Sequence, residues 1–390
     1  MKRALTFSLL ILSASCGLAM PAHAQDSSQP CLSPIQTPAP GGTTDPSLVM
    51  SHRFATGAGI KVAVIDTGVA PHPRLGTVHP GADFIMGQGA DKSLQDCDGH
   101  GTIVAGIIAA RPAPDYRDPF IGVAPDAEII AIRQTSSVLR SPHRPDETAG
   151  TMATLADAIH RAIDLGAHVI NVSLASCVPR DVAESLDTAV LDEALIRAEG
   201  QGIVVVAAAG NIGSSCDAHS VSYPAASPTV LAVSASENSH ELASYSLAVD
   251  KPMLSAPGTV PVALSPSGEG FASAMSTPQG TRPFTGTSFA APVVSGIAAL
   301  VKQRYPNDSA ASLRTRITAA ASPGTGHINP EEALAQLGGA TPVHHVAVSA
   351  PAPRSTRIQH ESGDILLVAM GCFAALITLG ASARRRATGR

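Results

Sequence analysis

Between residues 55 and 338, short β-branched runs alternate with stretches of helical periodicity, and this alternation limits the chain to few architectures. The runs 61–65, 127–133, 169–172 and 203–207 are apolar at nearly every position, without the polar alternation of a half-exposed strand. Between them, 151–165 reads as a helix with Met152, Leu155, Ala156, Ile159 and Ile163 on one face, and 184–201 as another. Strands apolar on both faces and separated by helices indicate a mostly parallel central sheet covered on each side, a three-layer α/β domain. Aromatic residues are 3% of the chain and Trp is absent, so the core must come from Ala, Val, Ile and Leu, which suits close helix-on-sheet packing. In such sheets, sites gather at the carboxyl ends of the strands.

The two ends of the chain read differently. Lys2 and Arg3 precede an apolar run ending near Leu12, and Ala22-His23-Ala24 supplies small residues for cleavage, so 1–24 is expected to be a signal peptide. Cys16 raises the lipoprotein alternative, but Ser13-Ala14-Ser15 lacks the large aliphatic residue such a signal needs. Residues 25–54 read as an extended arm, and 339–364, rich in proline, as a stalk. Residues 365–383 carry no charge and as a helix would reach about 28 Å, the depth of a bilayer core. Arg384, Arg385 and Arg386 follow at once, which orients 384–390 as a cytoplasmic tail. The expected product is a single-pass cell-membrane protein whose folded domain lies outside the cytoplasm. In that exported region Cys31, Cys97, Cys177 and Cys216 can form disulfides in any of three pairings.

A net charge of −5 with no clustered basic face argues against nucleic acid as a partner. No metal site is expected: Asp96 and Asp98 sit close together, but no calcium-loop pattern surrounds them, and His344-His345 reads as solvated. No cofactor is implied.

Polar residues interrupt the apolar pattern at informative places. Asp66 closes the first strand in Val64-Ile65-Asp66-Thr67-Gly68. His100 stands at the entrance of an apolar helix in Asp98-Gly99-His100-Gly101-Thr102. Ser288 lies in Gly286-Thr287-Ser288-Phe289-Ala290-Ala291-Pro292, at a position where serine is by default an N-cap and proline suits a first turn. Taken singly, each has an ordinary structural explanation. Together, in the order Asp, His, Ser, they resemble the three catalytic blocks of the subtilases over about residues 55–338.

That resemblance implies a subtilisin-like fold and a serine endopeptidase. A serine hydroxyl needs a base within hydrogen-bond reach, a neutral imidazole serves, and a carboxylate fixes its tautomer. Asp66, His100 and Ser288 would fill these roles. Ala208-Ala209-Gly210-Asn211 matches the family's oxyanion block, with Asn211 donating from its amide beside the Ser288 N–H. Ser173, Leu174 and Ala175 resemble the segment that pairs with an extended peptide substrate, and Tyr223, Pro224 and Ala225 resemble a specificity-pocket wall. Ala175 and Ala225 stand where many members have glycine, and two added methyls would narrow the pocket towards small or medium side chains.

The signal peptide, the cysteine-bearing arm, Cys97-Asp98-Gly99-His100 and the stalk before one span also resemble the mycosins, the membrane-anchored subtilases of type VII secretion systems in actinobacteria. In that family a disulfide holds the arm against the catalytic domain, which implies Cys31–Cys97 and leaves Cys177–Cys216. The arm of about 30 residues is shorter than the folding prodomains of secreted subtilases, so no cleaved prodomain is expected. Two roles follow from the resemblance: a protease acting on exported proteins, or a structural part of a secretion membrane complex with proteolysis secondary.

Overall fold

The structure is a computed structural model describing residues 31–336, apart from 86–89, 116, 141–148, 214–215 and 250–253. The expected signal peptide, stalk, membrane span and tail lie outside these residues. Among the described residues, no helix is long and apolar enough to cross a membrane.

The central sheet runs, side by side, Val230–Asn238, Val204–Ala208, Val169–Val172, Lys61–Asp66, Glu128–Arg133 and Val78–Asp83, all parallel. Leu254–Pro257 adds in parallel to Val230–Asn238, and Glu241–Leu242 pairs with it antiparallel. The two-residue period of the strands divides the core. Val62, Val64, Val204 and Val206 pack on one side against the helices His100–Ala109 and Thr287–Arg304. Ala63, Ile65, Val205 and Ala207 pack on the other against Met152–Asp164 and Ala189–Gly200. This is the expected subtilisin-like α/β architecture.

Local chemistry sets the helix limits. Thr151 and Thr154 exchange side-chain and backbone hydrogen bonds in a capping box that starts Met152–Asp164. The helix expected over 184–201 begins only at Ala189, as Ala189–Gly200, and a separate short helix, Arg180–Ala183, precedes it. Asp187 accepts from the Ala189 N–H at 3.0 Å and the Thr188 hydroxyl donates to Asp192 at 2.7 Å. These short polar side chains offer the backbone a turn in place of a helix.

The arm is more structured than its sequence suggests. Ser33–Thr37 forms an antiparallel strand against Phe271–Thr277, and Pro46–Ser51 is a short helix capped by Asp45, with Pro46 in its first turn. The Leu32 N–H donates to the Cys97 carbonyl at 2.9 Å. Cys31 is bonded to Cys97, and Cys177 to Cys216.

Candidate active site

Asp66, His100 and Ser288 come from three elements far apart in sequence. The Lys61–Asp66 strand delivers Asp66, fully buried, at its carboxyl end. The Asp66 carbonyl accepts from the Gln134 N–H at 2.8 Å, which ties down the strand end. His100 opens the His100–Ala109 helix, whose first turn lies close under the Asp66 loop. A Cβ on Gly101 would lie 2.0 Å from the Gly68 carbonyl oxygen, so only glycine allows this approach. Ser288 is the second residue of the Thr287–Arg304 helix, with Gly286 as N-cap, so the serine is not the cap its position suggested. Pro292 falls inside that helix, not in its first turn, and so offers no N–H to the Ser288 carbonyl.

The side chains meet in a continuous chain of contacts. Asp66 Oδ1 lies 2.7 Å from His100 Nδ1, and His100 Nε2 lies 2.9 Å from Ser288 Oγ. Asp66 Oδ1 also accepts from the Thr67 N–H at 2.8 Å. With Nδ1–H donated to the carboxylate, Nε2 is free to accept from the serine hydroxyl. The Phe289 ring packs 4.9 Å from the imidazole, centroid to centroid. Burial is the largest single influence on the His100 pKa and lowers it; the Asp66 charge, its hydrogen bond and the Asp96 charge outweigh it, so the net shift is upward.

Asn211 follows the Val204–Ala208 strand. Its Oδ1 accepts from the Thr287 N–H at 2.9 Å and the Thr287 hydroxyl at 3.1 Å, so Nδ2 is the end turned towards Gly286 and Ser288. The Thr287 hydroxyl in turn accepts from the Gly210 N–H at 3.1 Å. The Ser288 N–H lies in a first helical turn, where no intrahelical acceptor exists. Asn211 Nδ2 and Ser288 Oγ both flank Gly286, at 3.0 and 3.3 Å from where its Cβ would stand.

The six residues expected to bind substrate do not share one environment. Leu174, Ala175 and Tyr223 line a cleft of about 270 Å³ together with Gly150 and Met152. Ser173 is buried, accepting from the Asn171 amide at 2.9 Å. Pro224 follows a cis peptide bond and is buried. Ala225 has no exposed surface and belongs to the core, whereas Ala175 lines the cleft. The antiparallel pairing of Ser176–Val178 with Val221–Tyr223, beside the Cys177–Cys216 bond, holds the two walls together.

Sequence reading missed the supporting side chains. Thr287 orients Asn211, and Asp98 accepts from Ser136 and Ser137 at the edge of the His100 loop. The acidic pair Asp96 and Asp98 just before the motif histidine is the sequence signal for this support.

Comparison with known proteins agrees with this geometry. Residues 57–345 match the model of the subtilase family, peptidase S8. Mycosin-1 of Mycobacterium tuberculosis is 39% identical over 332 residues, 76% of this chain and 72% of that protein. Subtilisin BL of Lederbergia lenta is 37% identical over 289 residues, 72% of this chain and 93% of that protein. The crystal structure of MycP1 from the ESX-1 type VII secretion system superposes with a TM-score of 0.70 at 34% identity, covering 79% of this chain and 89% of that one. A chain of the intact ESX-5 inner membrane complex covers 92% of this chain and 94% of its own, with a TM-score of 0.68 at 32% identity. The chain belongs to the subtilase family of serine proteases.

Proposed function

We infer that this chain is a mycosin-like, membrane-anchored endopeptidase that cleaves exported polypeptides outside the cytoplasm, with Asp66, His100 and Ser288 as its triad. The observation that carries this reading is the unbroken contact chain from Asp66 Oδ1 through His100 to Ser288 Oγ, at 2.7 and 2.9 Å. As Ser288 Oγ bonds to the scissile carbonyl carbon, its proton passes to His100 Nε2. The carbonyl oxygen becomes an anion accepting from Asn211 Nδ2 and the Ser288 N–H. The imidazolium, stabilised by Asp66, gives its proton to the leaving amine as the C–N bond breaks. Water, deprotonated by the same imidazole, then releases the acyl group from Ser288. The peptide lies along Ser173, Leu174 and Ala175, with Tyr223, Pro224 and Ala225 forming the pocket wall and its buried backing.

The anchoring part rests on the sequence: a signal peptide over 1–24, an arm over 25–54, the peptidase domain over 55–338, a stalk over 339–364, a span over 365–383 and a tail over 384–390. A second reading, a structural component of a type VII secretion membrane complex with proteolysis secondary, is favoured by the likeness to the ESX-5 assembly. A fluorophosphonate probe separates the two on residues 25–363 and their Ser288→Ala variant, with adducts read by intact mass. A single adduct on the parent and none on the variant is the expected result. No adduct on a folded, disulfide-bonded parent would overturn the protease reading in favour of the structural one.

A further inference from the structure

Asp96 lies outside the triad, between the Asp66 loop and the start of the His100 helix. Its Oδ1 accepts from the Thr67 hydroxyl at 2.7 Å and the Gly99 N–H at 2.8 Å. Its Oδ2 accepts from the Thr102 N–H at 2.8 Å and the Thr102 hydroxyl at 2.6 Å. Both hydroxyls extend the contact. Thr67, directly after Asp66, accepts from the Gly101 N–H at 3.0 Å, and Thr102 accepts from the Ala70 N–H at 2.9 Å. One carboxylate thus fastens the loop that carries Asp66 to the turn that carries His100.

We propose that Asp96 is a positioning residue for the Asp66–His100 pair, holding the two in register through Thr67 and Thr102 and adding a second negative charge beside the imidazole. The proposal rests on the triad reading and deepens it. Four donors and no acceptor face the carboxyl group, so the ionised form is the one that fits, and hydrogen bonds to an ionised acceptor are about twice as strong as neutral ones. An amide in its place would turn an N–H₂ towards two donors on whichever oxygen it replaced. Burial raises the Asp96 pKa to about 6 against the opposing pull of the Thr102 and Thr67 bonds, which leaves it an anion at neutral pH. The other charged groups acting on His100 are Asp66, from the neighbouring strand end, and Arg282, from the Gly280–Pro283 strand. Asp66 and Asp96 raise the imidazole pKa and Arg282 lowers it.

The test compares parent, Asp96→Asn and Thr67→Val on a peptide p-nitroanilide across pH, with thermal melts and intact mass to verify the fold and both disulfides. The parent's reaction with the fluorophosphonate tests the triad itself, and the ratio of variant to parent tests Asp96. A misplacement on the order of 1 Å costs about 10²-fold in rate, so kcat of Asp96→Asn is expected to fall roughly 10- to 100-fold with KM within about twofold. Loss of the charge should also move the acid limb of the pH profile to lower pH, because the imidazole then loses its proton more easily. Thr67→Val, which keeps the charge and removes the bridge, should lower kcat without moving the limb. A kcat for Asp96→Asn within twofold of the parent, or a lowered kcat with an unmoved limb, would overturn the proposal. If Asp96→Asn does not fold, Thr67→Val decides: a drop of roughly tenfold or more at constant KM supports the bridge, and an unchanged kcat rejects it.

Discussion

Gly286→Ala should disable the oxyanion site, displacing Asn211 Nδ2 and crowding Ser288 Oγ with the same methyl. Gly286 has φ +154°, a region where a side chain is strained by about 1–3 kcal/mol. Its added Cβ would lie 3.0 Å from Asn211 Nδ2 and 3.3 Å from Ser288 Oγ, both inside ordinary contact distance. Asn211 cannot simply retreat, since the Thr287 N–H and hydroxyl hold its Oδ1 at 2.9 and 3.1 Å. The amide must therefore leave the narrow window in which it reaches an oxyanion. Removing this donor in subtilisin costs about 10²–10³ in kcat, and a displaced donor belongs at the lower end, near 100-fold, or about 2.7 kcal/mol. The strain should also lower Tm by a few degrees, at roughly 2–4 °C per kcal/mol for a domain approaching this size. Steady-state kinetics on a peptide p-nitroanilide measure the first effect and calorimetry the second. Gly213→Ala serves as the control, because its Cβ meets nothing within 4 Å. A Gly286→Ala enzyme with kcat within fivefold of the parent would refute the assignment of Asn211 as the donor.

The upward shift of His100 places the acid limb of kcat/KM above the ordinary histidine value of 6.5, because the base must be neutral to act; a limb at or below 6.5 would contradict the electrostatics described above. The same shift adds stability that is fully present below pH 6.5 and lost as pH rises through the folded value, which denaturant titrations at several pH values would detect. Cys31→Ser with Cys97→Ser opens a loop with a sequence separation of 66 and should cost about 4 kcal/mol by loop entropy, read in guanidinium melts. The arm strand keeps its pairing with Phe271–Thr277, so proteolysis of the arm should increase without loss of the domain. Asp83→Asn leaves Arg133, 2% exposed, as a buried cation beside a neutral amide and should destabilise by about 3–5 kcal/mol, with peptidase activity per folded molecule unchanged.

Much of the fold was legible because its determinants are local. The strand runs are apolar on both faces, and such runs have few stable homes outside a covered parallel sheet. The segments around Asp66, His100 and Ser288 were legible for a related reason: each residue needs a specific backbone context, a strand end or a helix start, that its neighbours spell out. Apolar periodicity does not register short-range polar competition, and at Asp187 and Thr188 that competition places a turn where the pattern continues a helix.

What sequence alone determined, then, was which residues sit at the ends of which elements, and which family the chain resembles. Tertiary structure decided the rest. The direction of the Asn211 amide is set by Thr287, 76 positions away, and the Asp66–His100 spacing by a carboxylate that reads on the page as one more loop acid. The arm, with Pro34 in its strand and no period of its own, becomes regular only because an edge strand some 240 residues later offers hydrogen bonds to it. Local pattern encodes how a segment satisfies its own backbone and buries its own face. Side-chain orientation and edge pairing depend on partners that only folding brings near.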